Sequence, residues 1–369
     1  MKITTSKDVL LKGIQVVQNA VSTKSTLPIL SHILIEAKKN EIKLTTTDLE
    51  MGVSVSIEGE TSEEGAITVP ARKFSEIIKE LSAQDAITIQ IKKGQAISIE
   101  CGKSYFKLMG LLKDDFPQLP DFSSHIKSGE SVKIPQKTLK VMIQLTSFAM
   151  SHDETRYVLN GILFSLKDKV LKLVATDGRR LAFIERDVPD TGNIKKDVIV
   201  PMKTIQELNR NLGDEGDVIF YFKENQIQIN IGNILITSRL IEGEYPNYEQ
   251  VIPKKTKEQV KINTQEFLQA TRRANILTSQ DSQSIRVNMV KDRMIISKTT
   301  PELGEVREEL EVDYKGGETM IGFNPTFLID ALKNIEDEHI QFSFIDPEKP
   351  AVIKAKENYT YIVLPMQVT

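Results

Sequence analysis

The side chains that most often carry out chemistry are few in this sequence and widely separated. The four histidines are His32, His125, His152 and His339, and the single cysteine is Cys101. No histidine has a cysteine or a second histidine at the spacing that a zinc site requires. The sequence also lacks the glycine-rich loops that bind phosphates and the Gly-x-Ser-x-Gly turn of serine hydrolases. These residue types disfavour an enzyme and predict no metal and no cofactor.

Two Thr-Asp pairs are the acidic residues whose recurrence could indicate paired catalytic acids. They are Thr47-Asp48 and Thr176-Asp177, and 129 residues separate the two aspartates. Because the pairs stand at equivalent places of repeated segments, we expect them to lie far apart, which disfavours a shared catalytic role. Each aspartate is predicted instead to accept hydrogen bonds from the backbone of its own turn. Cys101 ends an alternating strand and is predicted to be a buried or half-buried side chain.

The elements that must position these residues follow one recurring pattern: a short strand, a polar turn and an amphipathic helix. The pattern occurs six times, beginning at Lys2, Ala66, Val132, Val198, Val260 and Met320. A coarser repeat of 129 residues also relates Asp115-Phe-Pro to Glu244-Tyr-Pro. That period is too long for a solenoid and is the size of a whole domain. We therefore predict an α+β chain of three tandem domains at residues 1–122, 131–252 and 260–369, each made of two strand–helix–three-strand repeats.

The predicted helices and strands follow the same order in all three domains. The six helices are predicted at Ser6–Ala20, Pro70–Ser82, Pro135–Met150, Pro201–Gly213, Thr264–Leu277 and Asn324–Glu336. In the first domain, the apolar pattern predicts an antiparallel meander of strands at Ile29–Ala37, Glu41–Thr47 and Met51–Ile57. The polar stretches Ser123–Ser131 and Pro253–Gln259 are predicted to be linkers.

Basic and acidic residues are distributed unequally between the helices and the rest of the chain. The formal net charge is −3, which by itself argues against a basic nucleic-acid surface. The six predicted helices hold 12 Lys and Arg against 7 Asp and Glu, so they carry +5 and the remainder carries −8. If all helices lie on one side of a continuous sheet, that side is positive. The alternative is that these are ordinary solvated helix faces, since Lys and Arg are good helix formers. The sixfold repetition favours the first interpretation.

The overall composition is that of an ordinary globular protein, with 40% hydrophobic and 27% charged residues. No stretch approaches the ~18 consecutive apolar residues of a membrane span. The N-terminus is polar where a secretory signal would be apolar, and a single cysteine permits no intrachain disulfide. The sequence thus predicts a cytoplasmic protein.

Short stretches spread along the chain carry a family resemblance. They are Thr26–Leu30, Thr47–Glu50, Val69–Phe74, Asp115–Pro117, Arg156–Tyr157, Leu159–Gly161, Val174–Gly178, Arg180–Leu181, Ile321–Asn324 and Leu364–Met366. In these stretches, their order and their spacing, the chain resembles the bacterial DNA polymerase III beta subunits, the replicative sliding clamps, along its whole length. The resemblance implies a head-to-tail homodimer closed into a ring of six domains that encloses duplex DNA, with helices lining the hole and antiparallel sheets outside.

The resemblance and the charge distribution together suggest how DNA would be held. Basic helices that cross the phosphate grooves supply a weak, sequence-independent field, which lets a closed ring slide. A helix of about 16 residues would span about 24 Å, enough to bridge a groove and both flanking backbones. The expected DNA-contacting residues are Lys24, Arg72, Lys79, Lys140, His152, Tyr157, Lys203 and Arg210.

The resemblance also implies a pocket between the second and third domains. In the family this pocket binds a short hydrophobic, acidic peptide of the replicative polymerase alpha subunit, the clamp loader, other DNA polymerases and repair proteins. The matching positions are Leu159, Thr176, Gly178, Arg179, Arg180, Leu181, Pro246, Val251, Ile362, Val363, Pro365 and Met366. Their apolar members suit an adaptable groove. Taken singly, Leu159 and Val363 are more simply interpreted as core residues. Gln250 and Gln367 stand where relatives often carry arginine, so the carboxylate contact is expected at Arg179 or Arg180.

In the family, ring closure joins the first domain of one subunit to the third domain of the other. The matching positions are Phe106 and Leu108 facing Ile276 and Leu277, with Lys73 and Lys103 opposite Glu302, Glu305 and Glu308. Apolar patches on two edge strands suit pairing between subunits. Without the resemblance, the acidic run would be interpreted as a solvated edge strand protected against aggregation.

Two other functions stay open at the level of sequence. One is an enzyme, which the empty motif search disfavours. The other is a monomeric scaffold of three modules that binds peptides and does not encircle DNA. Sedimentation separates the scaffold from the clamp, because the scaffold sediments as one chain and the clamp as two.

Overall fold

All six predicted helices are present in the computed structural model, which describes residues 1–22, 27–39, 41–120, 131–188, 194–253, 257–279, 281–301, 303–356 and 358–367. The helices are α1 (Lys7–Val17), α2 (Ala71–Glu80), α3 (Gln136–Thr146), α4 (Met202–Asn211), α5 (Thr264–Asn275) and α6 (Pro325–Leu332). Ser6, Asn263 and Asn324 cap α1, α5 and α6, because each side chain accepts a hydrogen bond from a backbone N–H of the first turn.

The strands between these helices recur in the predicted order. The first domain contains β1 (Lys2–Thr5), β2 (His32–Lys38), β3 (Glu41–Thr47), β4 (Met51–Glu58), β5 (Glu60–Glu63), β6 (Gly65–Pro70), β7 (Ile87–Lys92), β8 (Ala96–Cys101) and β9 (Ser104–Met109). The second contains β10 (Ser131–Pro135), β11 (Gly161–Lys167), β12 (Val170–Thr176), β13 (Arg180–Asp187), β14 (Lys196–Pro201), β15 (Asp217–Lys223), β16 (Gln226–Ile231) and β17 (Ile234–Arg239). The third contains β18 (Glu258–Asn263), β19 (Ile285–Val290), β20 (Arg293–Thr300), β21 (Gly304–Glu311), β22 (Thr319–Phe323), β23 (His339–Phe344), β24 (Ala351–Ala355) and β25 (Tyr359–Val363).

The two repeats of each domain exchange their opening strands. In the first domain, β1 pairs with β7 of the second repeat, and β6 pairs with β2 of the first repeat. The same exchange joins β10 to β15 and β14 to β11 in the second domain. In the third domain it joins β18 to β23 and β22 to β19. Because neither repeat completes its sheet alone, the domain is the smallest unit in which all opening strands are paired.

The described chain forms two compact bodies, one mainly from Met1–Lys137 and Gln206–Leu240, the other mainly from Thr138–Pro189 and Ile241–Thr369. The first body contains a five-stranded sheet, β5-β1-β7-β8-β9, and an eight-stranded sheet, β10-β15-β16-β17-β4-β3-β2-β6. The second contains an eight-stranded sheet, β14-β11-β12-β13-β25-β24-β23-β18, and a four-stranded sheet, β21-β20-β19-β22. Each eight-stranded sheet therefore runs from one domain into the next.

One face of each helix is buried against these sheets. On α1, Leu10, Ile14 and Val17 are fully buried, and Gly13 lies directly on the sheet. A Cβ atom at Gly13 would lie 2.8 Å from Ile57 Cγ2, so only glycine lets the helix approach this closely.

The structure corrects several predicted boundaries. The helices contain 8 to 12 residues and not about 16, because the final turns of α1 and α3 tighten into 3₁₀ turns at Gln18–Ala20 and Ser147–Ala149. At 1.5 Å per residue, the longest helix spans about 18 Å and not 24 Å. Residues Ile29–Ser31, predicted as strand, belong to a 3₁₀ turn that Pro28 begins. Strand β5 was not predicted, and the ends of both predicted linkers are strand residues of β10 and β18.

Candidate functional site

The charge difference between helices and the rest of the chain persists with the observed helix ends. Eleven basic residues lie within α1 to α6: Lys7, Lys12, Arg72, Lys73, Lys79, Lys137, Lys140, Lys203, Arg210, Arg272 and Arg273. Six acidic residues accompany them, so the helices carry +5 and the remainder of the chain carries −8. The helices are therefore the part of the chain that suits a polyanion.

The candidate DNA residues differ in how far their charge is already balanced. Arg72 is exposed, and its Nε lies 3.0 Å from Glu76 Oε1. Lys73 and Arg72 together hold the pKa of the Glu76 carboxyl below its usual range, so this triad carries a single net positive charge. Arg210 donates to the carboxylate of Glu207, whose side chain is buried.

The other candidate DNA residues lie mostly at the surface. Lys79, His152, Tyr157 and Lys203 are exposed, and Lys140 is half-buried. Lys24 lies outside the described residues. The DNA contacts of all eight positions stay a prediction.

The candidate peptide pocket lies where β13 pairs with β25, with Arg180 opposite Val363 and Leu181 opposite Ile362. An apolar cluster lies beneath it: its buried members are Leu163, Val174, Leu181, Ile199, Val352 and Ile362, with Val158, Phe183, Ile241, Tyr245, Tyr248 and Ile252 packed on them. The Tyr245 hydroxyl lies 3.3 Å from the backbone oxygen of Val174, which fixes this ring over the cluster. The sequence analysis did not identify the two tyrosines and Phe183 as part of this site.

A tight turn before β13 shapes one side of the pocket. Asp177 Oδ1 accepts hydrogen bonds from the backbone N–H groups of Arg179 and Arg180, as predicted for the Thr-Asp pairs. Asp48 does the same for Glu50 and Met51. Gly178 has φ +85, and a Cβ atom there would lie 2.8 Å from Arg156 Nη1, so the turn favours glycine.

Burial divides the predicted pocket residues into two groups. Leu159, Leu181, Ile362 and Val363 are between 0% and 6% exposed, so they belong to the core below the pocket and not to its surface. Thr176 is also buried, because its hydroxyl donates to the backbone oxygen of Arg180 inside the turn.

The accessible group is smaller than the sequence analysis predicted. Pro246, Val251, Gly178 and Arg179 are exposed, and Pro365 and Met366 are half-buried. Leu364, which the sequence analysis omitted, is 39% exposed. An alternating strand pattern identifies neither which end of β25 leaves the sheet nor which side chains the next segment covers.

Arg180 is not available at the pocket rim as predicted. Its guanidinium is 2.9 Å from Asp177 Oδ2, 2.8 Å from Asp330 Oδ2, and it donates to the backbone oxygen of Phe148. It also lies 4.5 Å from the centre of the Phe327 ring. Burial disfavours the charged form, but the two carboxylates outweigh it and raise the pKa of Arg180. The exposed Arg179 is left to meet an acidic ligand.

The candidate dimer residues lie on two sheet edges. Strand β9 ends the five-stranded sheet and β21 ends the four-stranded sheet. Phe106 on β9 is 38% exposed, and Ile276 after α5 is 74% exposed. Leu108 and Leu277 are half-buried. These apolar side chains meet solvent within their own compact bodies.

Two of the charged interface candidates are already paired within the chain. Lys73 Nζ lies 2.8 Å from Glu76, and Glu308 accepts a bidentate pair from Arg273, with Nε 2.8 Å from Oε1. Lys103 and Glu305 are exposed, and Glu302 lies outside the described residues.

The segment that carries Ile276 and Leu277 is held by buried side chains of β20. Thr300 Oγ1 donates to the backbone oxygen of Leu277 at 2.6 Å. Lys298, which is 2% exposed, donates to Ser282 Oγ. Burial, with Arg286 nearby, lowers the pKa of Lys298.

Within the described residues, no helix has the length and apolar character needed to cross a membrane. The described part of the chain also brings no three His, Cys, Asp or Glu side chains together as a metal site. Cys101 is buried, as predicted.

Comparison with known proteins gives a consistent result for all three domains. Family models for the DNA polymerase III beta subunit match residues 1–120 as its N-terminal domain, 133–247 as its central domain and 249–367 as its C-terminal domain. Our domain ends at 122, 131, 252 and 260 stay a prediction. The beta sliding clamp of Escherichia coli strain K12 is 34% identical over 371 residues, covering all of both chains. That of Chlamydia muridarum is 30% identical over 367 residues, covering all of this chain and 99% of the relative.

Solved structures show the same similarity. The DNA polymerase III subunit beta from Pseudomonas aeruginosa has a TM-score of 0.92 at 34% identity, with full coverage of both chains. The DNA polymerase sliding clamp from Bacillus subtilis has a TM-score of 0.94 at 32% identity, also with full coverage. The chain therefore belongs to the DNA polymerase III beta subunit family, whose members are DNA sliding clamps.

Proposed function

We propose that two copies of this chain close head to tail into a ring around duplex DNA in the cytoplasm. In this proposal the ring has no catalytic activity and holds replicative polymerases and other partners on the DNA. The observation that carries it is the pairing of the last strands of the six repeats. Four of these strands pair across domain boundaries, β4 with β17 and β13 with β25. The two left over, β9 and β21, lie at sheet edges in the first and third domains.

Pairing of β9 with β21 of a second copy would repeat the two existing junctions. Each existing junction joins the last strand of a domain's first repeat to the last strand of the next domain's second repeat. Strand β21 ends the first repeat of the third domain, and β9 ends the second repeat of the first domain, so they are complementary in the same sense. A chain that paired both edges with one partner would leave no last strand open, which closes the assembly as a dimer.

The register of the proposed contact follows from the junction between the first two domains. There, Gly52 of β4 pairs with Thr237 of β17. Gly304 is equivalent to Gly52, because each is the first residue of its strand to pair with the preceding strand. Lys107 is equivalent to Thr237, because each is the fourth residue of its strand. We therefore expect Gly304 to lie opposite Lys107 of the partner.

This register brings complementary charges together. Counting along the antiparallel strands from that pair, Val306 lies opposite Tyr105 and Glu308 lies opposite Lys103. Glu308 would then hold Lys103 across the interface while it keeps Arg273 within its own chain. Such a network of partly exposed charges favours correct register more than it adds affinity.

The proposed DNA contact rests on the net charge of +5 on the helices. The contact need not be tight, since a closed ring cannot leave DNA sideways. Phosphate contacts of this kind are independent of sequence and weaken with salt. The helices are shorter than predicted, so each would reach fewer phosphates than a 24 Å helix.

The proposed partner site is the accessible part of the β13–β25 pocket. Val251, Leu364 and Met366 offer apolar contacts, and Arg179 offers the positive charge for an acidic peptide. Peptides of the replicative polymerase alpha subunit, the clamp loader, other polymerases and repair proteins are the occupants that we propose from the family.

Retention on DNA tests the proposal. After loading onto nicked circular DNA, the protein should stay bound at moderate salt and leave once the circle is cut. Sedimentation should give the mass of two chains. A species that sediments as one chain and binds peptides would favour the monomeric scaffold, and equal loss from both DNA forms would rule out encirclement.

A further inference from the structure

The first domain carries a counterpart of the partner pocket, at positions related to it by the 129-residue repeat. Its apolar cluster contains Ile29, Leu30 and Phe116, with Leu34 and Leu111 packed on them. The equivalents in the second domain are Val158, Leu159, Tyr245, Leu163 and Ile241, all of which are buried or packed at the partner pocket. Equivalent bridges, Thr68 with Leu111 and Ile199 with Ile241, anchor both clusters.

Three leucines are exposed around this counterpart. Leu27, Leu49 and Leu112 are each 50% exposed. The first two correspond to Arg156 and Gly178, whose atoms are close together: a Cβ at Gly178 would lie 2.8 Å from Arg156 Nη1. Leu112 directly follows the bridge residue of the cluster. We name Leu27, Leu49 and Leu112 the leucine surface.

Leu49 occupies a backbone conformation that leucine normally avoids. Its φ is +78, nearly that of Gly178 at +85. Both N–H groups donate to the threonine hydroxyl two residues earlier, at 3.0 and 3.1 Å, so the two turns are the same. A left-handed conformation costs a non-glycine residue about 1 kcal/mol or more. Here the chain keeps a half-exposed leucine where glycine would fit without strain, and strained side chains of this kind concentrate at binding sites.

The charges around the leucine surface are opposite in sign to those at the partner pocket. Glu50 stands at the position equivalent to Arg179, and both side chains are exposed. Asp114 and Asp115 are exposed beside Leu112, with Lys113 next to them. An acidic rim around exposed leucines suits a ligand with apolar and basic side chains.

We propose that the leucine surface is a second docking site, which binds a short segment of a partner protein carrying large apolar side chains flanked by lysine or arginine. A partner with an acidic hydrophobic segment and a basic one could engage both sites of one subunit. The proposal goes beyond DNA encirclement and stands on the first domain alone.

Methyl NMR of the full-length protein tests the proposal, with the synthetic peptides Lys-Leu-Leu-Lys-Phe and Glu-Leu-Leu-Glu-Phe as probes. The basic peptide should shift the methyl resonances of Leu27, Leu49 and Leu112, and the acidic one should not. Leu49→Gly should weaken the basic peptide by about tenfold, because one buried leucine contact is lost. The same variant should leave the melting midpoint unchanged or raise it, since glycine accepts the positive φ.

Val251→Ser in the partner pocket is the matched control. It should weaken the acidic peptide and leave the basic one unaffected, so failure of the leucine surface and failure of the partner pocket give different results. An equal response of the leucine surface to both peptides would overturn the proposal. So would unchanged binding of the basic peptide to Leu49→Gly.

Discussion

At the scale of single residues, two adjacent arginines have different roles. The sequence analysis predicted Arg179 or Arg180 as the contact for an acidic peptide. The structure buries Arg180 between Asp177 and Asp330 and stacks it on Phe327. Such an arginine stabilises the junction of the second and third domains, while its exposed neighbour meets the solvent. Sequence position alone cannot distinguish the two, because Asp330 approaches from 150 residues further along the chain.

Arg180→Met and Arg179→Met test this division as a matched pair. Arg180→Met leaves two nearly buried carboxylates without their cation and should lower the free energy of unfolding by about 3–5 kcal/mol. Arg179→Met removes an exposed charge and should change stability by no more than about 0.5 kcal/mol. Denaturant unfolding measures both, and peptide titration should show weaker binding of an acidic peptide to Arg179→Met. Equal stability of the two variants would contradict the assignment.

At the scale of elements, the repeats predicted all six helices and most of the strands. Apolar periodicity recorded these elements because each helix and strand buries one face. The helix ends were predicted too long, since a 3₁₀ turn keeps apolar residues on the same side as the α-helix that it extends. The pairing of β4 with β17 and of β13 with β25 could not be predicted from spacing, because the partner strand belongs to another domain. The burial of Val363 has the same cause, since its cover comes from other elements.

The register proposed for β9 and β21 gives a second prediction at this scale. Directly opposite residues of antiparallel strands have Cβ atoms about 5 Å apart, close enough to crosslink. In a Cys101→Ser background, the pair Tyr105→Cys and Val306→Cys should therefore form a covalent dimer with dibromobimane. The control pair, Tyr105→Cys with Glu311→Cys, places the second thiol about five residues away along the strand, or roughly 16 Å. Efficient crosslinking of the control, or none of the first pair, would contradict the register.

At the scale of the whole molecule, the chain separates its tasks between different parts. The helices carry positive charge, the open strands β9 and β21 are the proposed closing edges, and the β13–β25 junction is the proposed partner site. The family and the threefold domain repeat were already evident in the sequence, because both depend on local patterns. The two unpaired last strands emerged only from the structure, and they are the basis for the proposed ring.

The measurement that tests the ring most directly combines closure with topology. The Tyr105→Cys and Val306→Cys protein in the Cys101→Ser background is loaded onto nicked circular DNA, crosslinked and then treated with sodium dodecyl sulfate. If two copies enclose the duplex, the denatured and covalently closed ring should stay on the circle and be released when a restriction enzyme cuts the DNA. Release from the intact circle after efficient crosslinking would contradict the proposed encirclement, as would retention after the cut.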